Sequence, residues 1–363
     1  MRASLVVMGT DAPHRSARSA LGRLARARMD NDVFRWEAVE VLRRAIGFDT
    51  WCFVLLDPTT GLPTRYASTN PVIGHNQRQF FPLYLQSLAA CPPPRRTRAA
   101  EVSVLSAATG GALERDPVWR EMLSPGGLGD QLGAHLAADG VCWAYLALYR
   151  DEGRAWFNPG DAAFVGSVAP LLAARLRAGL RHTTLASTDP GEPGTVIVDR
   201  DLNLVTATSH AWRWIARLGL DKPSDAEPLP GFIYAMLARL AHTAQPDPTA
   251  RVRLQAADGT WVLVRAAPLT GPQVDGGYAI TLETAPPADL TGVLMSAWNL
   301  TPRERDVAAL IIEGRSSDDI AGSLFLSPHT VRDHTKAIFG KVGVHDRRHL
   351  TAALTGQPGE AAA

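Results

Sequence analysis

Lysine and cysteine are nearly missing from this chain of 363 residues. Three lysines, at positions 222, 336 and 341, stand among 37 basic residues, so arginine carries almost all of the positive charge. Cys52, Cys91 and Cys142 are odd in number and widely spaced. That excludes a disulfide framework and a C-x-x-C zinc or redox motif, and suggests unpaired thiols in a reducing cytoplasm. No run of about 18 apolar residues is evident, so no membrane span is expected. The stretch Leu5-Val6-Val7-Met8 is too short for a signal-peptide core of at least about 7 apolar residues. The net charge is only +1, so any affinity for nucleic acid must come from a local patch. The phosphate-binding pattern G-x-x-x-x-G-K-[ST] and the nucleophile pattern G-x-S-x-G are both missing. No cluster has metal-ligand or haem spacing. Residues 1–13 offer only Asp11 where a phosphorylatable receiver would place paired acids. The expectation is therefore a non-enzyme with no catalytic residue, no metal and no cofactor.

What is present is concentrated in the last sixty or so residues. Thr301 suits an N-cap, Pro302 the first helical position, and Glu304 closes a capping box. Ser316 with Asp319 repeats the box, and Ser327-Pro328 supplies a third helix start. Between the second and third starts lies Ile320-Ala321-Gly322-Ser323-Leu324-Phe325-Leu326, a short helix followed by a tight turn. Two short helices so joined, the second rich in cations, describe a helix-turn-helix. In the third helix Val331, His334 or Thr335, Ile338 and Val342 recur at helical spacing and should face a bundle. His329, Arg332, Asp333 and Lys336 fall on the opposite face. From Ser327 to His349 there are five Lys/Arg against two Asp, a net of +3. Long donors on such a helix reach base edges and phosphates in the major groove. Asp346 should cap a fourth helix carrying Leu350, Ala353 and Leu354.

Thr301-Pro302-Arg303-Glu304-Arg305, Ile320-Ala321, Ser327-Pro328-His329-Thr330-Val331 and Lys341-Val342-Gly343-Val344 resemble the DNA-binding module of the LuxR/FixJ family. The resemblance covers about residues 300–354. It implies an all-α four-helix module that binds double-stranded DNA and whose fourth helix often serves dimerisation. Carried over by position, Thr330 and Lys341 would touch phosphate, while Arg332, Asp333 and Lys336 would face bases. Ser327, His329 and Arg347 complete the candidate surface. Asp333 departs from the family, which more often has an uncharged residue there. A carboxylate at that place repels phosphate but accepts from a cytosine amino group. Gly322 and Gly340 each cost about 1 kcal/mol of helix propensity against alanine.

A length of 363 residues suggests two or three domains. Punctuation at Ser187 to Gly194 and at Pro286-Pro287-Ala288-Asp289 divides the chain. The expected parts are an N-terminal extension or leading helix (1–29), an α/β domain (30–186), an α+β domain (192–285) and the helix-turn-helix module (291–356). The whole is a multidomain α+β chain.

In the first domain we expect a helix over 33–46, a strand over 48–56 and a turn at 57–61. Helices over 77–88 and 117–123 follow. Strands over 131–138 and 141–150 are joined at Asp139-Gly140, a strong two-residue hairpin signal. A long helix runs from Pro159 to about Arg181. These pieces resemble the GAF sensor domain, an α/β sandwich. Alternation along the strand puts Trp143, Tyr145 and Tyr149 on one face. With Trp119 and His135 they line an aromatic ligand pocket, or simply fill a core. The run Cys91 to Arg98 reads as a solvated loop.

The second domain shows a strand, a polar turn and a second strand over 195–205, then a helix with Trp212, Trp214 and Ile215. An Ala/Leu helix over 232–242 follows. Strands over 251–254 and 261–266 are joined through Asp258-Gly259, and a last strand covers 278–282. The succession resembles a PAS domain. Trp212, Trp214 and Trp261 line a cavity or pack a core. Together these signs imply a bacterial, cytoplasmic, sequence-specific transcriptional regulator, expected to act as a homodimer. Its N-terminal domains would answer to a small-molecule effector or a regulatory protein. The alternative is that they only dimerise or bind a partner, with no small molecule.

Overall fold

The computed structural model describes residues 11–90, 101–181, 191–219, 228–242, 249–256, 258–271 and 276–355. Leu5 to Met8, the Cys91 to Arg98 loop and most of the linker after Arg181 lie outside the described residues. The first part runs α1 (Asp11–Arg26), α2 (Asn31–Ile46), β1 (Thr50–Leu56), β2 (Pro63–Ser68), α3 (Pro71–Gly74), α4 (Gln77–Ala90), β3 (Val102–Val104) and α5 (Leu105–Ala108). A single π turn (Trp119–Leu123) precedes β4 (Leu128–Ala138), β5 (Val141–Asp151) and α6 (Pro159–Arg181). The five strands form an antiparallel sheet in the order β2-β1-β5-β4-β3.

Asp139 and Gly140 both have positive φ, 53° and 77°, as a two-residue hairpin turn with right-handed strand twist requires. One face of the sheet carries α1, α2 and α6, with Phe34, Leu42, Trp51, Leu146 and Leu172 between them. Leu21 of α1 is fully buried in that core and His14 stacks on Phe164 at 4.3 Å. The leading helix therefore belongs to the first core, and position 30 is no boundary.

By length and composition α6 is apolar enough to cross a bilayer. The expectation that no such segment exists is corrected to that extent. Its apolar stripe, Phe164, Val165, Val168, Leu172 and Leu176, is buried against the sheet.

The second part runs β6 (Gly194–Val198), β7 (Leu204–Ala207), α7 (Ser209–Arg217), α8 (Gly231–Ala241), β8 (Ala250–Gln255), β9 (Trp261–Pro268) and β10 (Tyr278–Thr284). Its sheet has the order β7-β6-β10-β9-β8, the same topology as the first. A Cβ on Gly194 would lie 2.4 Å from the backbone of Ala211, so glycine is what lets α7 sit on β6. Alternation along β9 sends Val262 and Val264 toward α7 and α8, and Trp261 and Leu263 to the other face. Trp214 packs the inner core, whereas Trp261 meets the helix that follows the sheet. The three tryptophans do not share a cavity.

That helix, α9 (Pro287–Ala297), corrects the reading of Pro286 to Asp289 as a linker. Pro287 stands at the first helical position, where its fixed φ fits and its missing N–H costs nothing. Leu290, Val293, Leu294 and Met295 of α9 join one core that also takes Trp261 and Leu263 and the apolar faces of the last four helices. These are α10 (Pro302–Ile312), α11 (Ser317–Leu324), α12 (Pro328–Val342) and α13 (Arg347–Thr355).

A buried ionic group ties the three parts together. Asp57, in the turn after β1, has a fully buried carboxylate. It accepts from Arg253 of β8, at 3.0 Å from Nη1 and 3.1 Å from the backbone N–H. Arg253 Nε donates at 2.5 Å to the carbonyl of Asp289 in α9. Removing one member of such a pair leaves the other charged and dry. Arg253→Met should therefore cost about 3–5 kcal/mol. Asp57→Asn added to Arg253→Met should regain part of that loss. Urea unfolding of the three proteins checks both outcomes.

Candidate nucleic-acid interface and ligand cavity

The helical module is built as its cap residues dictate. Thr301 Oγ1 accepts from the Glu304 N–H, and Glu304 Oε2 accepts from the Thr301 N–H at 2.7 Å. Ser316 and Asp319 form the second reciprocal box. Ser327 accepts from the Thr330 N–H at 3.1 Å, and Gly343, at φ 78°, ends α12. Asp346 accepts from the His349 N–H at 2.8 Å and opens α13. Between α11 and α12 the chain turns on Phe325, a left-handed non-glycine residue with φ 53° and 95% exposure.

Val331, Ile338 and Val342 are buried and seat α12 on α10, α11 and α13. His329, Arg332, Asp333 and Lys336 are all exposed on its outer side. Arg332 and Lys336 have no ion-pair or hydrogen-bond partner among the described residues. His329 Nδ1 lies 3.1 Å from Asp333 Oδ2, so the carboxylate that departs from the family already faces a neighbour one turn away. Thr330 is half-buried and its hydroxyl meets that of Ser327 at 2.9 Å.

Two expected contact residues are placed differently. Lys341 Nζ sits 2.6 Å from Glu304 Oε2 and 3.2 Å from the Asn299 carbonyl. Its ammonium closes the start of α10 on the end of α12 rather than standing free for a phosphate. Arg347 donates at 2.6 Å to the Arg315 carbonyl and at 2.8 Å to Ser317 Oγ, bracing the α10–α11 turn. Spacing along one helix shows which side a residue is on, but not which carboxylate another helix brings to it.

The aromatic pocket is also rearranged. Leu136 pairs with Ala144 but Ala137 pairs with Cys142, so Trp143 is the extra residue of a β-bulge. A bulge re-aims its side chain. Trp143 points into the α1–α2–α6 core, opposite to Tyr145 and Tyr149. Trp119 donates from its indole to the Gly129 carbonyl at 3.1 Å. His135 tilts against Tyr145 at 4.9 Å; burial lowers its pKa, partly offset by Glu101. Of the four expected pocket residues Tyr145 alone lines the cavity below the outer face of the sheet.

That cavity, of about 700 Å³, lies between the outer face of the first sheet and α8. Strands β1, β2 and β5 supply Cys52, Tyr66, Tyr145 and Tyr149, and α3 and α4 with their leading turn supply Asn70, Phe80 and Tyr84. The far wall is Leu229, Phe232 and Ala235. Gly231 lets α8 close against α4, since a Cβ there would overlap the carboxamide of Gln77. Burial pushes the Cys52 thiol up to about 11, which leaves it protonated. Cys52 forms no disulfide among the described residues.

Residues 298–354 match the family described as bacterial regulatory proteins, luxR family. Over 55 residues the chain is 38% identical to the spore germination protein GerE of Bacillus subtilis, covering 15% of this chain and 74% of GerE. The chain belongs to the luxR family of bacterial regulatory proteins. A Mycobacterium bovis protein that carries the name of an HTH-type transcriptional regulator is 47% identical over 62 residues. The match takes in 16% of this chain and 7% of that protein, so this luxR-family chain aligns with a small fraction of it. The crystal structure of Escherichia coli SdiA aligns over 95% of this chain and 99% of its own at 14% identity. The TM-score is 0.34, too low for the domain arrangements to be compared.

The cap pair has a pH signature. Burial raises the Glu304 pKa, but the Lys341 ammonium and the Thr301 donors outweigh it and hold the carboxyl below its ordinary value of 4.5. A depressed carboxyl contributes stability above its unfolded pKa and loses it as pH falls through the folded one. Thermal unfolding should show a loss in the wild type below about pH 4.5 that Glu304→Gln no longer shows. Lys341→Met should cost about 1 kcal/mol at neutral pH, the pair being partly exposed.

Proposed function

We propose that this protein is a sequence-specific, DNA-binding transcriptional regulator that acts in the cytoplasm as a homodimer. The observation that carries the reading is the outer side of α12. Arg332 and Lys336 project, without a partner among the described residues, from a helix whose other side is anchored by Val331, Ile338 and Val342. Such a helix enters the major groove with its free donors toward base edges and phosphates. Ser327, His329 and Thr330 lie at the end of α12 that would approach the backbone first. Lys341 and Arg347 act inside the module, holding its helices in register.

The two sheet units serve as the sensor, GAF-like over the first and PAS-like over the second. The cavity between them supports control by a small molecule over a purely structural role. An occupant that touches both units, and binds their alternative arrangements unequally, shifts the population between them. Because α9 packs on both α6 and α13, that shift repositions the DNA-binding module. Two half-sites about one helical turn apart are sensitive to such spacing. No step in this scheme needs a catalytic group or a cofactor.

Selection of genomic DNA fragments by the full-length protein should enrich a two-fold repeat. Arg332→Ala and Lys336→Ala should each cost about 1–3 kcal/mol of specific binding and relax preference at one position. Lys336→Ala should also flatten the salt dependence by about one phosphate if it reads the backbone instead. Unchanged affinity in both variants would place the groove face elsewhere.

A further inference from the structure

We infer that the outer side of α1 is a second DNA contact, which holds the phosphate backbone of the duplex beyond the site read by α12. This inference rests on the reading of the chain as a DNA-binding regulator and adds a surface far from the family match at residues 298–354.

Residues 12–29 hold five arginines, at 15, 18, 23, 26 and 28, and neither an aspartate nor a glutamate. The whole chain nets +1, so this one stretch, at +5, outweighs a net negative remainder. All five arginines are exposed. Helical spacing puts Arg15, Ser19, Arg23 and Arg26 on the side away from Ala17 and Leu21, which are buried in the first core. Arg18 donates to Ser167 Oγ at 2.6 Å and Arg23 to Ser19 Oγ at 3.0 Å, hydroxyls that leave both charges uncompensated. Among the described residues Arg18, Arg23, Arg26 and Arg28 form no ion pair. On the flanking helices α2 and α6, Asp32 is held by Arg35 and Arg65, Glu40 by Arg43 and Asp161 by Arg150. Glu37 of α2 is exposed and forms no ion pair with these arginines.

Charge and place together set the occupant. A stripe of cations matches a polyanion, and the exposed residues of α1 include no large apolar side chain to sink into a lipid surface. Duplex DNA carries one charge per about 1.7 Å of its axis. From Arg15 to Arg26 the helix runs about 16 Å, the length of about five base pairs. Helix α1 packs on α6, α6 on α9 and α9 on α13, so the stripe is carried by the helices that lead to the DNA-binding module. Once α12 holds its site, the flanking duplex is presented to the stripe at high local concentration. An acidic protein segment would have to be recruited separately.

The test uses full-length protein and a fragment that it has selected from genomic DNA, prepared as two duplexes. One is trimmed to the two half-sites, and the other keeps about two further helical turns on each side. Affinity is followed by fluorescence anisotropy from about 50 to 200 mM salt. Over that range the wild type should lose roughly 40-fold more affinity on the flanked duplex than on the trimmed one, as about three extra phosphate contacts require. A triple variant, Arg23→Gln with Arg26→Gln and Arg28→Gln, keeps helix propensity. It should lose most of that difference while selecting the same motif. The matching triple Arg23→Lys, Arg26→Lys and Arg28→Lys should keep it.

A wild type with the same salt dependence on both duplexes would overturn the inference, as would a glutamine variant that keeps the full difference. So would a lysine variant that loses it, since charge would then not be the cause. If the flanks change nothing and phosphatidylglycerol vesicles sediment the wild type but not the glutamine variant, the stripe serves a lipid surface instead. Arg332→Ala separates the two readings, since it should weaken both duplexes equally and leave the flank difference in place. Binding to neither duplex by any of these proteins sinks the DNA-binding reading and this inference with it, whereas flank-independent binding sinks this inference alone.

Discussion

The two sheets and α9 meet at Arg253. Its guanidinium and backbone N–H hold the fully buried carboxylate of Asp57 from the first sheet's turn, while its Nε holds the first turn of α9. Asp289 adds a carboxylate that Arg251, Arg253 and Arg265 approach from β8 and β9. A buried ion pair seldom adds net stability over an apolar replacement, but it punishes any arrangement that separates its members. The constraint is therefore one of geometry. The first sheet, the second sheet and the helix leading to α10 must sit so that one arginine reaches all of its acceptors at once.

The same logic runs through the module at the end of the chain. Glu304 closes a capping box and, with the same oxygen, holds Lys341 from the far end of α12. Arg303 reaches the last carbonyl of α11 at 2.5 Å, and Arg347 reaches back to the α10–α11 turn. Four short helices, each too short to persist alone, are joined end to end by side chains that satisfy their terminal backbone groups. Arg332 and Lys336 take no part in these ties, and among the described residues neither has an ion-pair or hydrogen-bond partner.

Much of the fold could be read from residues near one another. The caps at Thr301, Ser316 and Ser327 and the turn at Asp139-Gly140 are local devices, and each formed as its chemistry requires. The β4–β5, β6–β7 and β8–β9 pairs follow from alternation and spacing in the same way, whereas β2 and β3 carry no such pattern. What escaped was set by distant residues. The Trp143 bulge is a mismatch in length between two strands, invisible in the alternation of either one. Lys341 finds its partner 37 positions away. The cavity takes its walls from residues 52–85, 145–149 and 229–239, three stretches that no local pattern joins. A pair of prolines at 286–287 reads as a break and as a helix start alike, because proline ends helices as readily as it begins them.

The shared strand order has a consequence for how the chain becomes structured. In each sheet the strand made last, β5 or β10, lies at or beside the centre: β5 joins β1 to β4, and β10 joins β6 to β9. Thr50 must wait for Tyr149, and Val198 for Tyr278. Until that strand is synthesised, two separate hairpin-like pieces present unpaired backbone edges to their surroundings. Closure by contacts so remote in sequence is slow, since the loop must be drawn in before any pairing rewards it. Each unit thus completes its sheet in one late step, and a nascent chain halted before β5 or β10 holds two open edges rather than a partly finished sheet.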